Sequence, residues 1–393
     1  MNSPTFDPRA LAQSGVAALQ RGDARAARRS FDQIVETGNA DSSIFLALAH
    51  ACVSMQDQSA GLAAIDKALA LEPRNLRALL FKADRLADAG DFRAASAYYL
   101  AAIRAAPPVA DLPPDLLGEL QRAQAACERF AGQLEEFLRA RLADAGLVLQ
   151  PSTERFIRSL DILFGKKKIY FQEPRNYFFP GLAQIQFFDR SDFPWLDAVE
   201  AATPDIRAEL VEIMKEETAF KPYVQGNLER PRKEQAGMLD NPDWSAFYLW
   251  KNGEIVAENA ARCPGTMEAI AGVPLARLQN RSPSVLFSLL RPGARIPPHT
   301  GLVNTRLICH LPLIVPGNCR FRVGNDTREW ANGQAWVFDD TIEHEAWNDS
   351  GQTRVILLFE IWRPELTPEE RGLVGAMFEA IDARSGEKPA WEI

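Results

Sequence analysis

A period of 34 residues runs through the first quarter of the chain and limits what that part can fold into. Gly22, Gln56 and Gly90 stand 34 apart, and each is followed by an aspartate, Asp23, Asp57 and Asp91. Small residues recur at Gly15, Ala49 and Ala83 and at Ala26, Ala60 and Ala94, and bulky ones at Phe31, Ile65 and Tyr99. Pro73 and Pro107 close two of the units. A unit of this length holds one pair of helices, in which small residues let the helices approach, large ones fill the gap and the turn falls at the Gly-Asp.

This is the tetratricopeptide period, and it predicts an α-helical repeat array over 1–110. Such arrays form concave surfaces that hold a protein or peptide partner. The segment 111–169 keeps helical spacing through Asp111–Gly146 but loses the small-large signature, so it reads as a helical cap followed by a linker. The basic run Lys166, Lys167, Lys168 within it reads as a solvated face.

Beyond residue 170 the pattern changes. Tyr170–Arg281 mixes extended and helical stretches, including Leu196, Val199, Ile206, Leu210 and Ile213 at helical spacing. A β-hairpin is expected around Asn252-Gly253, with Phe247, Leu249 and Trp250 leading into it. From Val285 to Trp362 short β-rich runs are divided by Gly, Pro, Asn and Asp clusters, as in a sandwich or small barrel. Thr367-Pro368-Glu369-Glu370 is a capping box that opens a C-terminal helix.

Three of the four histidines, His299, His310 and His344, fall in the β-rich stretch, and Arg354 follows His344 by ten positions. Neutral imidazole is the commonest metal ligand, and a buried arginine beside a metal is a planar fork for a carboxylate. Strand parity puts Arg306, Ile308 and His310 on one face and Leu307, Cys309 and Leu311 on the other. The pattern points to a metal that holds an organic acid.

The motifs HTG at 299–301, NTRLICHLPL at 304–313, FDDTIEHEAWND at 338–349 and RVILLFEIWRPELTPEE at 354–370 resemble the aspartyl/asparaginyl β-hydroxylase family of Fe(II)- and 2-oxoglutarate-dependent oxygenases. The resemblance covers roughly 177–370. It implies a multidomain α plus β chain, with the helical repeats followed by a double-stranded β-helix, or jelly roll, over 170–393. It also implies that His299 and His344 ligate iron and that Arg354 pairs with the far carboxylate of 2-oxoglutarate. Ser288 would assist Arg354, His310 would approach the co-substrate at its metal end, and Arg306 would hold an acidic group of the substrate.

The implied reaction consumes O2 and 2-oxoglutarate, releases succinate and CO2, and hydroxylates a carbon, expected to be the β-carbon of an Asp- or Asn-like residue or of an acidic metabolite. Most iron/2-oxoglutarate oxygenases carry an acidic residue two positions after the first histidine. Here that residue is Gly301, as in the family named. Ile308 stands where the animal members carry a second arginine. Asp339 and Asp340 read as structural in the turn before His344, and Glu343 or Glu345 as support for that ligand. Two other readings are a repeat scaffold with an inactive jelly roll and a cupin-like metalloenzyme that does not use 2-oxoglutarate.

A net charge of −8 argues against broad binding to nucleic acid or anionic membranes. Five cysteines without framework spacing suit a reducing compartment. The first twenty residues show neither a basic nor an apolar signal region, and no apolar run is long enough to span a bilayer. The expected location is the cytoplasm.

Overall fold

The structure, a computed structural model, describes residues 7–147, 153–225 and 237–385. The first six residues of the stretch read for a signal, 148–152 of the linker and 226–236 of the mixed segment lie outside the described residues. The chain divides into two compact units, 1–167 and 168–393.

The first unit is a series of antiparallel helix pairs. They are α1 (Pro8–Gln20) with α2 (Ala24–Glu36), α3 (Ser42–Ser54) with α4 (Gln58–Leu71), and α5 (Leu76–Asp88) with α6 (Phe92–Ala105). The long α7 (Pro114–Asp144) packs along α6, and α8 (Glu154–Leu163) follows. Each pair turns at the predicted dipeptide. Gly22 and Gly90 end their helices at φ +80 and +82, the left-handed region that glycine enters without penalty. Gln56 does the same at φ 64, at a cost of about 1 kcal/mol for a residue with a Cβ.

Asp23, Asp57 and Asp91 then cap the next helix, accepting from the backbone N–H of Ala26, Ala60 and Ala94 at 2.9, 3.1 and 3.0 Å. Those three alanines are therefore cap acceptors' partners more than packing residues. The close-approach positions are one residue on, at Ala27, Gly61 and Ala95, all buried. Phe31, Ile65 and Tyr99 fill the gaps between helices, also buried. A Cβ on Gly15 would lie 2.6 Å from the Phe31 ring, so a side chain there cannot coexist with that ring.

Among the described residues the second unit contains eleven strands. One sheet has the order β1 (Lys221–Pro222), β2 (Trp244–Lys251), β4 (Val285–Leu290), β11 (Arg354–Trp362), β6 (Arg306–Ile314), β9 (Trp336–Phe338), with β3 (Glu254–Ile255) paired to β2. The other has the order β5 (Arg295–His299), β10 (His344–Asn348), β7 (Cys319–Val323), β8 (Asp326–Glu329). All these pairings are antiparallel, and the two sheets enclose an interior in the manner of a jelly roll.

Alternation decides what faces that interior. Along β11, Val355, Leu357, Phe359 and Ile361 join the core beneath α9 (Leu196–Ala201), α10 (Thr203–Ile213) and, after the short α11 (Ala257–Ala261), α12 (Pro264–Ala269). Arg354, Ile356, Leu358 and Glu360 take the opposite side and line the cavity. On β6, Leu307, Cys309 and Leu311 go to the helix side and Arg306, Ile308 and His310 to the cavity, as parity predicts.

The expected hairpin turns at Asn252 (φ 51) and Gly253 (φ 84), both left-handed, as a two-residue turn of this kind requires. The capping box forms: Thr367 N–H donates to Glu370 at 2.8 Å and Glu370 N–H to Thr367 Oγ1 at 3.2 Å, opening α13 (Pro368–Ser385).

The corner between β9 and β10 is fixed by a fully buried ion pair. The Asp339 carboxylate accepts from Arg363 at 2.6 Å, from Gln172 at 2.8 Å, and from the backbone N–H and hydroxyl of Thr341 at 3.0 and 2.6 Å. Asp339→Ala would leave the buried Arg363 with only the part-exposed Glu365, at 3.1 Å, and would empty the bonds of Gln172 and Thr341, so thermal unfolding should show a loss of about 3–5 kcal/mol. In the repeats, Gly15→Leu is expected to cost about 1–3 kcal/mol by the same measurement, whereas Gly118→Ala, facing open space, should not destabilise.

Candidate active site

His299 ends β5 and His344 begins β10, and the two are direct cross-strand partners. Their rings lie 4.1 Å apart between centroids at 52°. A bulge between His344 and Ala346 follows this pair. Each Nδ1 lies against a backbone carbonyl, Pro297 O at 2.8 Å for His299 and Ile342 O at 3.1 Å for His344. An Nδ1–H donated to those carbonyls leaves both Nε2 lone pairs available.

Burial, and for His299 the neighbouring His344, push both imidazoles far below their ordinary value, to about 3 for His299 and about 4 for His344. They are neutral near pH 7, the state a metal ligand needs. Among the described residues no third His, Cys, Asp or Glu joins them in a set that could hold a metal. Two facing imidazoles are the donors that the cavity offers.

Gly301 accounts for the missing carboxylate. A Cβ at this position would fall inside the carboxylate of Asp340, which is itself buried. Gly301 N–H donates to the Asp340 carbonyl at 2.7 Å, so the two backbones are drawn together. Asp340 donates nothing back; it accepts from Arg306 at 2.9 Å through one oxygen, and its Oδ1 has no hydrogen-bond partner.

Deeper in the cavity Arg354 is 1% exposed, yet it has no ion pair among the described residues. Its contacts are the carbonyl of Ser288 at 3.3 Å, the Ser288 hydroxyl at 3.5 Å and the face of Trp330 at 4.8 Å, and its Nε has no partner. Burial drags its pKa down to about 10. A buried, unpaired guanidinium is unfavourable unless an anion completes it. Ser288 also accepts from Trp244 Nε1 at 3.3 Å. His310 sits between the rings of Phe321 and Phe338, with burial, then Arg354, holding it well below its ordinary value and Nδ1 unpartnered.

All six expected site residues, Ser288, His299, Arg306, His310, His344 and Arg354, line one cavity. Glu343 and Glu345 do not reach its histidines. Both bind Arg322, Glu343 at 2.8 Å, because alternation turns them away from His344. Trp347 stacks outside against Arg320. Tyr223, Trp244 and Glu360 also line the cavity and were not anticipated. Glu360 was findable: it shares the parity of Arg354 and interrupts an apolar run. Tyr223 follows the short edge strand β1 and carries no such signal.

A jelly roll holding two facing histidines and an unpaired buried arginine defines the class of the site: a cavity whose imidazoles could hold a metal and whose guanidinium could hold a carboxylate. The aspartyl/asparaginyl β-hydroxylase family profile matches residues 200–364. The human aspartyl/asparaginyl β-hydroxylase is 37% identical over 140 residues, 35% of this chain and 18% of that protein. The ornithine lipid ester-linked acyl 2-hydroxylase of Rhizobium tropici is 30% identical over 199 residues, 50% of this chain and 67% of that one. Aspartate β-hydroxylase domain-containing protein 2 of Xenopus tropicalis is 28% identical over 211 residues, 53% of this chain and 55% of that protein. The chain belongs to the aspartyl/asparaginyl β-hydroxylase family. It spans only 19% and 18% of the length of the mouse and human aspartyl/asparaginyl β-hydroxylases.

The depressed histidines give the site a pH signature. Unfolded histidines bind protons from about pH 6.5 downward and these two do so only near 3–4, so the unfolded state holds more protons in that window. Stability of the metal-free protein should therefore fall between about pH 6.5 and about pH 4. In His344→Gln the fall should be shallower by roughly 1–3 kcal/mol, read from urea unfolding at each pH.

Proposed function

We propose that this protein is an Fe(II)- and 2-oxoglutarate-dependent hydroxylase. The observation that carries the reading is the unpaired, buried Arg354 beside Ser288, in the same cavity as the neutral His299–His344 pair. The donor set fits iron: two imidazoles leave enough positions for a chelating 2-oxo acid, O2 and water. Iron bound there supplies the oxidising power that couples decarboxylation of 2-oxoglutarate to insertion of oxygen into a C–H bond.

What the chain contributes is binding, orientation and exclusion of water. His299 and His344 would hold the metal, each fixed by its carbonyl contact through Nδ1. Arg354 would take the distal carboxylate of 2-oxoglutarate as a two-toothed fork, aided by the Ser288 hydroxyl. Trp330, Phe321 and Phe338 wall that end with rings and keep water from the reacting groups. His310, held neutral, would offer a hydrogen bond to the co-substrate near its metal end.

The relatives' names supply the reaction class, since the proteins they describe hydroxylate carbon, in one case on an acyl chain. The repeats are proposed to hold a protein or peptide partner. The five cysteines are free, and among the described residues no helix is long and apolar enough to cross a membrane. We place the protein in the cytoplasm on the first of these.

Fe(II) and 2-oxoglutarate added to the metal-free protein without oxygen are expected to give a visible metal-to-ligand charge-transfer band. His344→Ala should abolish it. Arg354→Ala should require about a hundredfold more 2-oxoglutarate to reach half its intensity. A folded protein that shows no band in the wild type would sink the proposal and favour another metal chemistry.

A further inference from the structure

Resting on that reading, we infer that the substrate group seated at the Glu360 end of the barrel is a protonated amine rather than a carboxylate. The interior has two ends, marked on β11 by Arg354 and Glu360. They lie six residues apart on one face, about 20 Å at strand rise. Their arginines are in opposite states. Arg354 is unpaired, whereas Arg306 is already held by Asp340 at 2.9 Å and by Glu360 at 3.2 Å. Burial works against the Arg306 charge, but Asp340 and Glu360 outweigh it and hold it firmly protonated.

Two carboxylates around one guanidinium leave one negative charge over. Asp340 Oδ1, on a residue 3% exposed, still lacks a hydrogen-bond donor. Ile308, the cross-strand partner of Glu360, lines the same wall and brings no charge. An incoming carboxylate would thus meet a neutralised arginine and two acids in a low-dielectric pocket, and would be repelled. An ammonium has three donors and no acceptor, and Asp340 Oδ1 can take one of them.

The remaining wall suits the same charge. Tyr223 and Trp244 stack at 4.1 Å and 9°, and the Tyr248 ring follows at 6.3 Å from Tyr223. Aromatic faces of this kind attract cations. Two other cations stand near. Lys251 is half-buried over the Tyr248 ring at 5.1 Å, and Arg175 is exposed at the side of the site nearest Asp340 and the histidines. Arg175 is exposed at the surface and Lys251 is already engaged over the Tyr248 ring, so neither reaches the free oxygen of Asp340 with a hydrogen bond. Arg306, expected to hold a substrate acid, is instead occupied by Asp340 and Glu360.

The test is direct binding by saturation-transfer NMR to the full chain loaded with zinc, as a diamagnetic substitute for iron, and 2-oxoglutarate, so that Arg354 is occupied. The probes are n-butylammonium, butyramide and butyrate. Butylammonium is expected to bind about tenfold tighter than either of the others. Glu360→Gln should remove the preference, and Ile308→Arg should turn it toward butyrate. Should Glu360→Gln fail to fold, the wild-type ranking and Ile308→Arg decide. Equal binding of the three, tighter binding of butyrate, or no binding of any probe would overturn the inference. A charge-transfer band without the amine preference would sink this inference alone. The preference without a band would sink the iron/2-oxoglutarate reading alone.

Discussion

The ion pair between Asp339 and Arg363 is the interaction on which the catalytic unit depends. It joins the loop after β9 to the residue after β11, and through Gln172 and Asn304 it also ties in the segment leading to the first strands. Asp340 and His344 extend from that corner, and Gly301 is pulled against it. A pair of this kind is costly to desolvate, and its return is geometric. With every lone pair of Asp339 engaged, the loop has one arrangement, and the two histidines are held face to face with ring centroids 4.1 Å apart.

From this corner the interior separates its charges. One end keeps a bare arginine beneath aromatic rings, and the other keeps an arginine surrounded by acids. Strand alternation makes the separation possible, because a single strand, β11, delivers Arg354 and Glu360 to the same space while sending Val355, Leu357 and Phe359 to the helices. The apolar side supplies the burial energy that lets the polar side remain incompletely satisfied.

Much of this was legible in the sequence where the signal is local or periodic. The 34-residue spacing, the Gly-Asp turns, the parity of β6, the Asn252-Gly253 turn and the Thr367 capping box depend on residues a few positions apart. The roles of Ala26 and Ala27 were exchanged, because both are small and only the capping geometry tells them apart. Distant pairings were not legible. Arg306 meets Asp340 and Glu360 only through the mutual register of β6, β9 and β11, and Tyr223 meets Trp244 only because a short edge strand is laid beside β2. Glu343 and Glu345 were set beside His344 by proximity in sequence, and alternation sent them to Arg322.

The interlock of Gly301 with Asp340 also bears on how such a site can change by mutation. A side chain at 301 has nowhere to go while Asp340 is present, and removing Asp340 first would strip Arg306 of one of its two acids. Each single step therefore passes through a damaged barrel. A lineage that settled on this arrangement would need both changes together to place an acidic side chain at 301, so the pairing of Gly301 with Asp340 is a position from which ordinary stepwise substitution offers no easy exit.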